Sequence, residues 1–129
     1  MAEAVPENVE LYAKAVLDAA FRVHNNLGPG LLESVYERCL CHELQKVGVP
    51  HESQVSLPIV YDGITIEGGL RLDIHVDKQL VVELKAVETL LSIHEAQIFT
   101  YLKLTQNRLG LLLNFNTKLL KDGIKRIVL

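Results

Sequence analysis

The sequence has no tryptophan, only two cysteines, and no apolar run near the roughly 18 residues that a membrane-spanning helix needs. We therefore expect no membrane association. Residues 1–10 carry acidic side chains where a secretory signal would have a basic and then an apolar region, which favours a cytoplasmic location. Cys39 and Cys41 stand two apart in a helix-like stretch, so they point to different sides and are interpreted as reduced thiols without a disulfide.

The composition is that of one globular domain. Of the 129 residues, 49% are apolar and 22% are charged. A chain of this length buries about two-thirds of its unfolded surface, which suffices for a stable core but not for two ordinary domains. We expect a single domain over residues 1–129.

The charges are unevenly distributed along the chain, although the formal net charge is only −3. Residues 1–102 carry 7 basic and 15 acidic side chains, whereas residues 103–129 carry 6 basic side chains and one acid, Asp122. This basic segment, residues 103–129, could neutralise nucleic-acid phosphates, or it could be a solvated lysine-rich face. Charge alone leaves both interpretations open.

Two helices are predicted in the first part of the chain. Apolar residues recur at helical spacing from Val9 to Leu27, and strong helix formers continue from Leu31 to Val47. Gly28-Pro29-Gly30 between them indicates a tight turn, and Gly48 with Pro50 ends the second helix.

The hydrophobic period then changes to two, which predicts strands joined by short turns. Three strands are expected first, then a helix from about Ile93 to Gln106 that opens with a Ser92–Glu95 capping box, then two more strands. The predicted strands are Val55–Tyr61, Ile64–Val76, Leu80–Ala86, Leu109–Phe115 and Gly123–Leu129. Hairpins followed by a helical crossover predict an α/β domain with a mixed sheet flanked by helices.

Three polar side chains are expected to converge on this sheet. Asp73 lies on the polar face of one strand, and Glu83 and Lys85, two apart, share one face of the next. Two carboxylates about 4 Å apart repel by roughly 4 kcal/mol at an effective dielectric near 20, so a proton or cation must lie between them. Mg²⁺ or Mn²⁺ suits such oxygen ligands, and the Leu84 carbonyl is a further candidate ligand.

Two carboxylates and a lysine can support phosphodiester hydrolysis through a bound metal. From spacing alone, an acid–lysine ion pair on a solvated strand edge is the favoured interpretation, because Asp followed ten residues later by Glu-x-Lys is a loose pattern. On the following helix, Gln97 and Tyr101 are four apart and could face a substrate, but Tyr101 could equally be a core aromatic. Glu33, near the start of the second helix, could be present only because the helix dipole favours an acid there.

The sequence resembles the GxxExxY family of proteins at several separated motifs that follow in the same order. The resemblance covers about residues 9–128. The matching segments are Gly30-Leu-Leu-Glu33-Ser-Val-Tyr36, Arg71-Leu-Asp73, Val82-Glu83-Leu-Lys85-Ala86, His94-Glu-Ala-Gln97 and Leu111 to Asn116.

This resemblance implies a restriction-endonuclease-like core of the PD-(D/E)XK nuclease superfamily, with two N-terminal helices. Carried over by position, Asp73 and Glu83 are metal ligands, Lys85 is the catalytic lysine and Glu33 is an additional ligand on an early helix. Gln97 and Tyr101 resemble the Gln-x-x-x-Tyr motif of the RecB-like branch and imply substrate binding. The chain departs from the pattern at one position, where a leucine and not a proline precedes Asp73.

Two functional hypotheses follow. The first is a nuclease dependent on Mg²⁺ or Mn²⁺. The second is a non-catalytic module that binds nucleic acid or a protein partner through the basic segment. Only three Phe and four Tyr offer little stacking surface for single strands, which favours a duplex or a partner that supplies recognition. We expect DNA rather than RNA as the substrate. The sequence leaves open whether the chain forms a homodimer.

Overall fold

Helices and strands follow one another in the order that the hydrophobic periodicity predicts. The computed structural model describes residues 4–129. Its elements are α1 (Glu7–Leu27), α2 (Glu33–Lys46), β1 (His51–Tyr61), β2 (Ile64–Val76), β3 (Leu80–Lys85), α3 (Ser92–Thr105), β4 (Leu109–Asn114) and β5 (Ile124–Val128). A short 3-10 helix over Leu120–Gly123 precedes β5.

The five strands form one sheet in the order β1-β2-β3-β4-β5. Neighbouring strands are antiparallel except β3 and β4, which are parallel and connected by the α3 crossover. The turn Asp62-Gly63 between β1 and β2 has left-handed φ angles of 49° and 79°, as a two-residue hairpin requires. The turn between β2 and β3 has three residues, and the first two, Asp77 and Lys78, have left-handed φ angles of 47° and 56°. The predicted mixed sheet flanked by helices is thereby confirmed.

The sheet has a core on each face. On one face, α1 and α2 bury an apolar stripe that includes Val16, Ala20 and Leu40 against alternate residues of β3 and β4. On the other face, Ile98 and Leu102 of α3 pack against a smaller cluster. Both faces of β3 and β4 are therefore covered, which explains why the sequences of these central strands are almost continuously apolar.

Both cysteines are free thiols, as predicted. Within residues 4–129, no helix combines the length and the apolar character that crossing a membrane requires.

Candidate active site

Asp73 and Glu83 lie where β2 and β3 stop pairing. The Asp73 backbone N–H donates to Glu83 Oε1 at 3.0 Å, and the Leu84 N–H donates to Asp73 Oδ2 at 2.9 Å. Each carboxylate thus accepts a backbone hydrogen bond from the opposite strand in place of a ladder carbonyl. The regular ladder is limited to the pairs Ile74–Val82, His75–Val81 and Val76–Leu80. We call Asp73 and Glu83 the carboxylate pair.

Strand β2 changes sides at Asp73. Leu72 packs in the cluster under α3, whereas Ile74, two residues later, packs in the cluster under α1 and α2. Regular strands keep such residues on one face, so the backbone turns between them. By register, Gln54 of β1 lies opposite Asp73, and its φ of 52° is uncommon for a residue with a side chain. The irregularity of both strands brings Asp73 to the end of β3.

Glu83 is only 5% exposed. Burial and the neighbouring Asp73 charge raise its pKa to about 9, and the Lys85 charge only partly opposes this rise. Near neutral pH, Glu83 therefore holds a proton unless a cation takes that proton's place.

Tyr36 closes the glycine turn that precedes α2. Its buried hydroxyl donates to the Gly28 carbonyl at 2.6 Å and accepts the Leu31 N–H at 3.0 Å, while its ring stacks on Phe115 at 4.7 Å. Gly30 within the turn has φ of 98°, which favours glycine. The first and last residues of the Gly-x-x-Glu-x-x-Tyr segment thus fix the backbone that leads into the helix.

Glu33 is the first residue of α2, directly after the glycine turn, and is exposed. Burial and then the Asp73 charge raise its pKa, and the Lys85 charge opposes the rise. Glu33 therefore lies within electrostatic reach of both groups. The charges of Asp73 and Lys85 thus influence both Glu33 and Glu83.

Lys85 is half-buried at the last position of β3. Its backbone carbonyl accepts the Phe115 N–H at 2.9 Å. The buried Asn114 side chain accepts the Val87 N–H at 3.1 Å and donates to the Val87 carbonyl at 2.9 Å. These bonds fix the segment after β3 and hence the base of the lysine.

On α3, Tyr101 lies near the carboxylate pair. Burial, the Glu83 charge and the Asp73 charge raise its pKa, and the Arg71 charge opposes the rise. Tyr101 is partly buried against the core under α3, so it is a core aromatic as well as a neighbour of the carboxylate pair. Gln97, one turn earlier, is exposed on the helix.

The predicted Ser92–Glu95 capping box is wrong. The helix begins at Ser92, one residue earlier than expected, and Leu91 occupies the N-cap position. His94 Nδ1 accepts the Leu91 N–H at 3.0 Å, because the third helical residue is then His94 and not Glu95. His94 therefore caps α3.

Two charged residues near the carboxylate pair were missed in the sequence. Glu37, one helical turn after Glu33, accepts a hydrogen bond from Gln54 Nε2 at 2.7 Å. Burial raises the pKa of Glu37, the Gln54 bond lowers it, and the charges of Asp73 and Glu33 raise it while Arg71 opposes them. Helical spacing from Glu33 and strand alternation from Asp73 were the signals that could have identified Glu37 and Arg71.

The donor set fits a hard divalent cation, although the present side-chain arrangement does not form a complete ligand cage. Over residues 4–129, no three His, Cys, Asp or Glu side chains are arranged to hold a metal ion. Glu33, Asp73 and Glu83 nonetheless supply carboxylate oxygens whose mutual repulsion a cation would relieve. A cation held by these carboxylates would take the place of the Glu83 proton. The Leu84 carbonyl remains a predicted ligand.

Part of the basic segment is used within the fold. Arg126 forms an ion pair with Glu10 of α1 at 2.7 Å, and Arg108 Nε donates to the Leu129 carbonyl at 2.9 Å. Lys121 and Lys125 are exposed to solvent. The surface positive charge is thus smaller than the residue count indicates.

Comparison with known proteins gives one match. A family model described as the PD-(D/E)XK nuclease superfamily matches residues 10–127, nearly the whole chain. No curated protein and no solved structure matches the sequence.

Proposed function

The chain belongs to the PD-(D/E)XK nuclease superfamily, and from this premise we propose that it is a nuclease dependent on Mg²⁺ or Mn²⁺. Its proposed reaction is the hydrolysis of phosphodiester bonds, in DNA rather than in RNA. A bound cation of this kind lowers the pKa of a water molecule and stabilises charge on a phosphoryl oxygen. We also assign the chain to the cytoplasm, in keeping with its two free thiols.

Each site residue has a proposed role. Glu33, Asp73 and Glu83 hold the cation, with the Leu84 carbonyl as a further ligand. Lys85 orients the attacking water or neutralises charge on the phosphate, because its ammonium lies within reach of the carboxylates it would serve. The predicted substrate-binding residues Gln97 and Tyr101 lie on one face of α3.

One observation carries this proposal: the carboxylate pair interrupts the ladder between β2 and β3. An ordinary surface ion pair would leave the ladder intact and would be exposed to solvent. Here a buried carboxyl instead holds a proton beside a second carboxylate, and a lysine follows two residues later. Such arrangements of perturbed carboxyl groups are typical of functional sites.

We further propose membership of the GxxExxY family and of the RecB-like branch of the superfamily. The family assignment is supported by the roles of Gly30 and Tyr36 in the turn before α2 and by the position of Glu33 at the start of that helix. The branch assignment is supported by the Gln97–Tyr101 spacing on α3 and by the charge interaction of Tyr101 with the carboxylate pair.

The first test is thermal unfolding with and without Mn²⁺, since a ligand that binds only the folded state raises its melting temperature. We expect a rise for the natural chain and none for Asp73→Asn. The matched control is Asp62→Asn, which makes the same chemical change in an exposed hairpin turn where asparagine is favoured. It should respond to Mn²⁺ like the natural chain.

Cleavage of labelled duplex DNA is the second test. Asp73→Asn and Glu83→Gln should abolish metal-dependent cleavage while both variants remain folded by circular dichroism. Retained cleavage in either variant contradicts the proposed site. Salt-sensitive DNA binding that needs no metal, without cleavage by the natural chain, would instead favour the non-catalytic binding module.

A further inference from the structure

Arg71 lies on β2 two residues before Asp73, in the part of the strand that does not pair with β3. Its strand neighbour is Ser56 of β1, and its side chain is exposed. Arg71 therefore stands at the solvent side of the carboxylate pair, on the same strand and close to the predicted reaction site.

The positive charges of Lys85 and Arg71 influence different groups around the carboxylate pair. We call Glu33, Glu37, Asp73 and Glu83 the acidic cluster. The Lys85 charge opposes the pKa rises of the exposed Glu33 and the buried Glu83. The Arg71 charge opposes those of Glu37 on α2 and Tyr101 on α3. Arg71 thus lies within electrostatic reach of residues on both helices, α2 and α3, which pack on opposite faces of the sheet.

The guanidinium of Arg71 forms no close ion pair with the residues that the structure describes. Among ion pairs shorter than 4.0 Å that join described residues, none includes Arg71. Glu37, an acid that the Arg71 charge influences, is itself held by Gln54 through the 2.7 Å hydrogen bond. That bond uses a Glu37 oxygen and fixes the carboxylate on the α2 side, so the planar donor fork of Arg71 stays available for an incoming anion.

We propose that Arg71 binds a backbone phosphate of the nucleic-acid substrate next to the carboxylate pair. This inference rests on the proposed function and adds a specific contact to it. The guanidinium matches a phosphate group with two parallel hydrogen bonds, which a lysine ammonium cannot reproduce. It also offsets the repulsion between the acidic cluster and the substrate, a need that follows from the concentration of carboxylates here.

The test is the salt dependence of DNA binding, measured by fluorescence anisotropy of a labelled duplex in the presence of a chelator. The natural chain serves as the parent, because the proposed cleavage needs a metal ion and none is available during the measurement. We expect Arg71→Gln to weaken binding about tenfold and to reduce the slope of log affinity against log salt by about 0.9, the value of one phosphate contact. Arg71→Lys should restore the slope but not the full affinity.

The matched control is Arg38→Gln, which removes the same charge from an exposed arginine in the groove between α1 and α2. It should leave the salt slope unchanged. Equal slopes for the parent and Arg71→Gln, or equal losses for both arginine variants, overturn the inference. Absence of binding by the parent also overturns it, while cleavage by the natural chain shows separately whether the proposed function stands.

Discussion

The change Glu83→Gln should stabilise the metal-free protein, and increasingly so as the pH rises. The pKa of Glu83 is raised from 4.5 to about 9, chiefly by burial and then by the Asp73 charge. A raised pKa means that the group's full contribution to stability is present below pH 4.5 and is lost progressively until the pH passes about 9. Glutamine imitates the protonated carboxyl and does not titrate.

The size of the effect follows from the linkage of proton binding to folding. Between the two pKa values, the folded chain holds a proton that the unfolded chain has released, which costs about 1.4 kcal/mol per pH unit. The free energy of unfolding of Glu83→Gln, compared with that of the natural chain, should therefore be higher by about 4 kcal/mol at about pH 7.5 than it is at acidic pH. That corresponds to a melting temperature higher by on the order of 10 °C.

Urea denaturation in the presence of a chelator, repeated at intervals between about pH 5 and pH 9, measures this difference. Groups that titrate alike in both chains cancel in the difference. Glu67→Gln is the control, because it removes an exposed carboxylate from β2 far along the hairpin. Its stability should run parallel to that of the natural chain. Added Mn²⁺ should narrow the gap between Glu83→Gln and the natural chain, since a cation replaces the proton.

A constant difference across this pH range would refute the reasoning. It would mean that Glu83 is ionised in the folded protein and that no proton is held between the strands. A gap that Mn²⁺ leaves unchanged would mean that the proton and the metal do not compete for the same oxygens.

Two further changes test the backbone that supports the site. Tyr36→Phe removes the hydroxyl that bonds Gly28 and Leu31 and should cost about 1–3 kcal/mol in urea denaturation, whereas unchanged stability would show that the turn does not depend on it. Gly123→Ala would place a methyl group on the Asn114 carbonyl oxygen and should cost more than about 2 kcal/mol, well above Gly110→Ala, whose new methyl meets only side-chain atoms of α3. Similar thermal midpoints for the two alanine variants would contradict this ranking.

The secondary structure was largely predictable because it depends on local patterns. The helical spacing of apolar residues and the turn pairs Asp62-Gly63 and Asp77-Lys78 predicted α1 and the two hairpins close to their actual bounds. The cap of α3 was misplaced, because shifting the helix start by one residue changes which side chain reaches the N-cap. Such boundaries depend on packing as well as on local preference.

The sequence by itself determined that Glu83 and Lys85 share a face of β3, since strand side chains alternate, and that Asp73 belongs to the neighbouring strand. Only the tertiary structure decided that β2 and β3 separate at this point, because the departure of β1 and β2 from regular geometry involves residues far apart in the chain. At this point Glu83 is buried beside Asp73, which raises its pKa, and the packing of α2 adds Glu37 to the acidic cluster. Burial and charge proximity arise from contacts between distant segments, which periodicity along the chain does not encode.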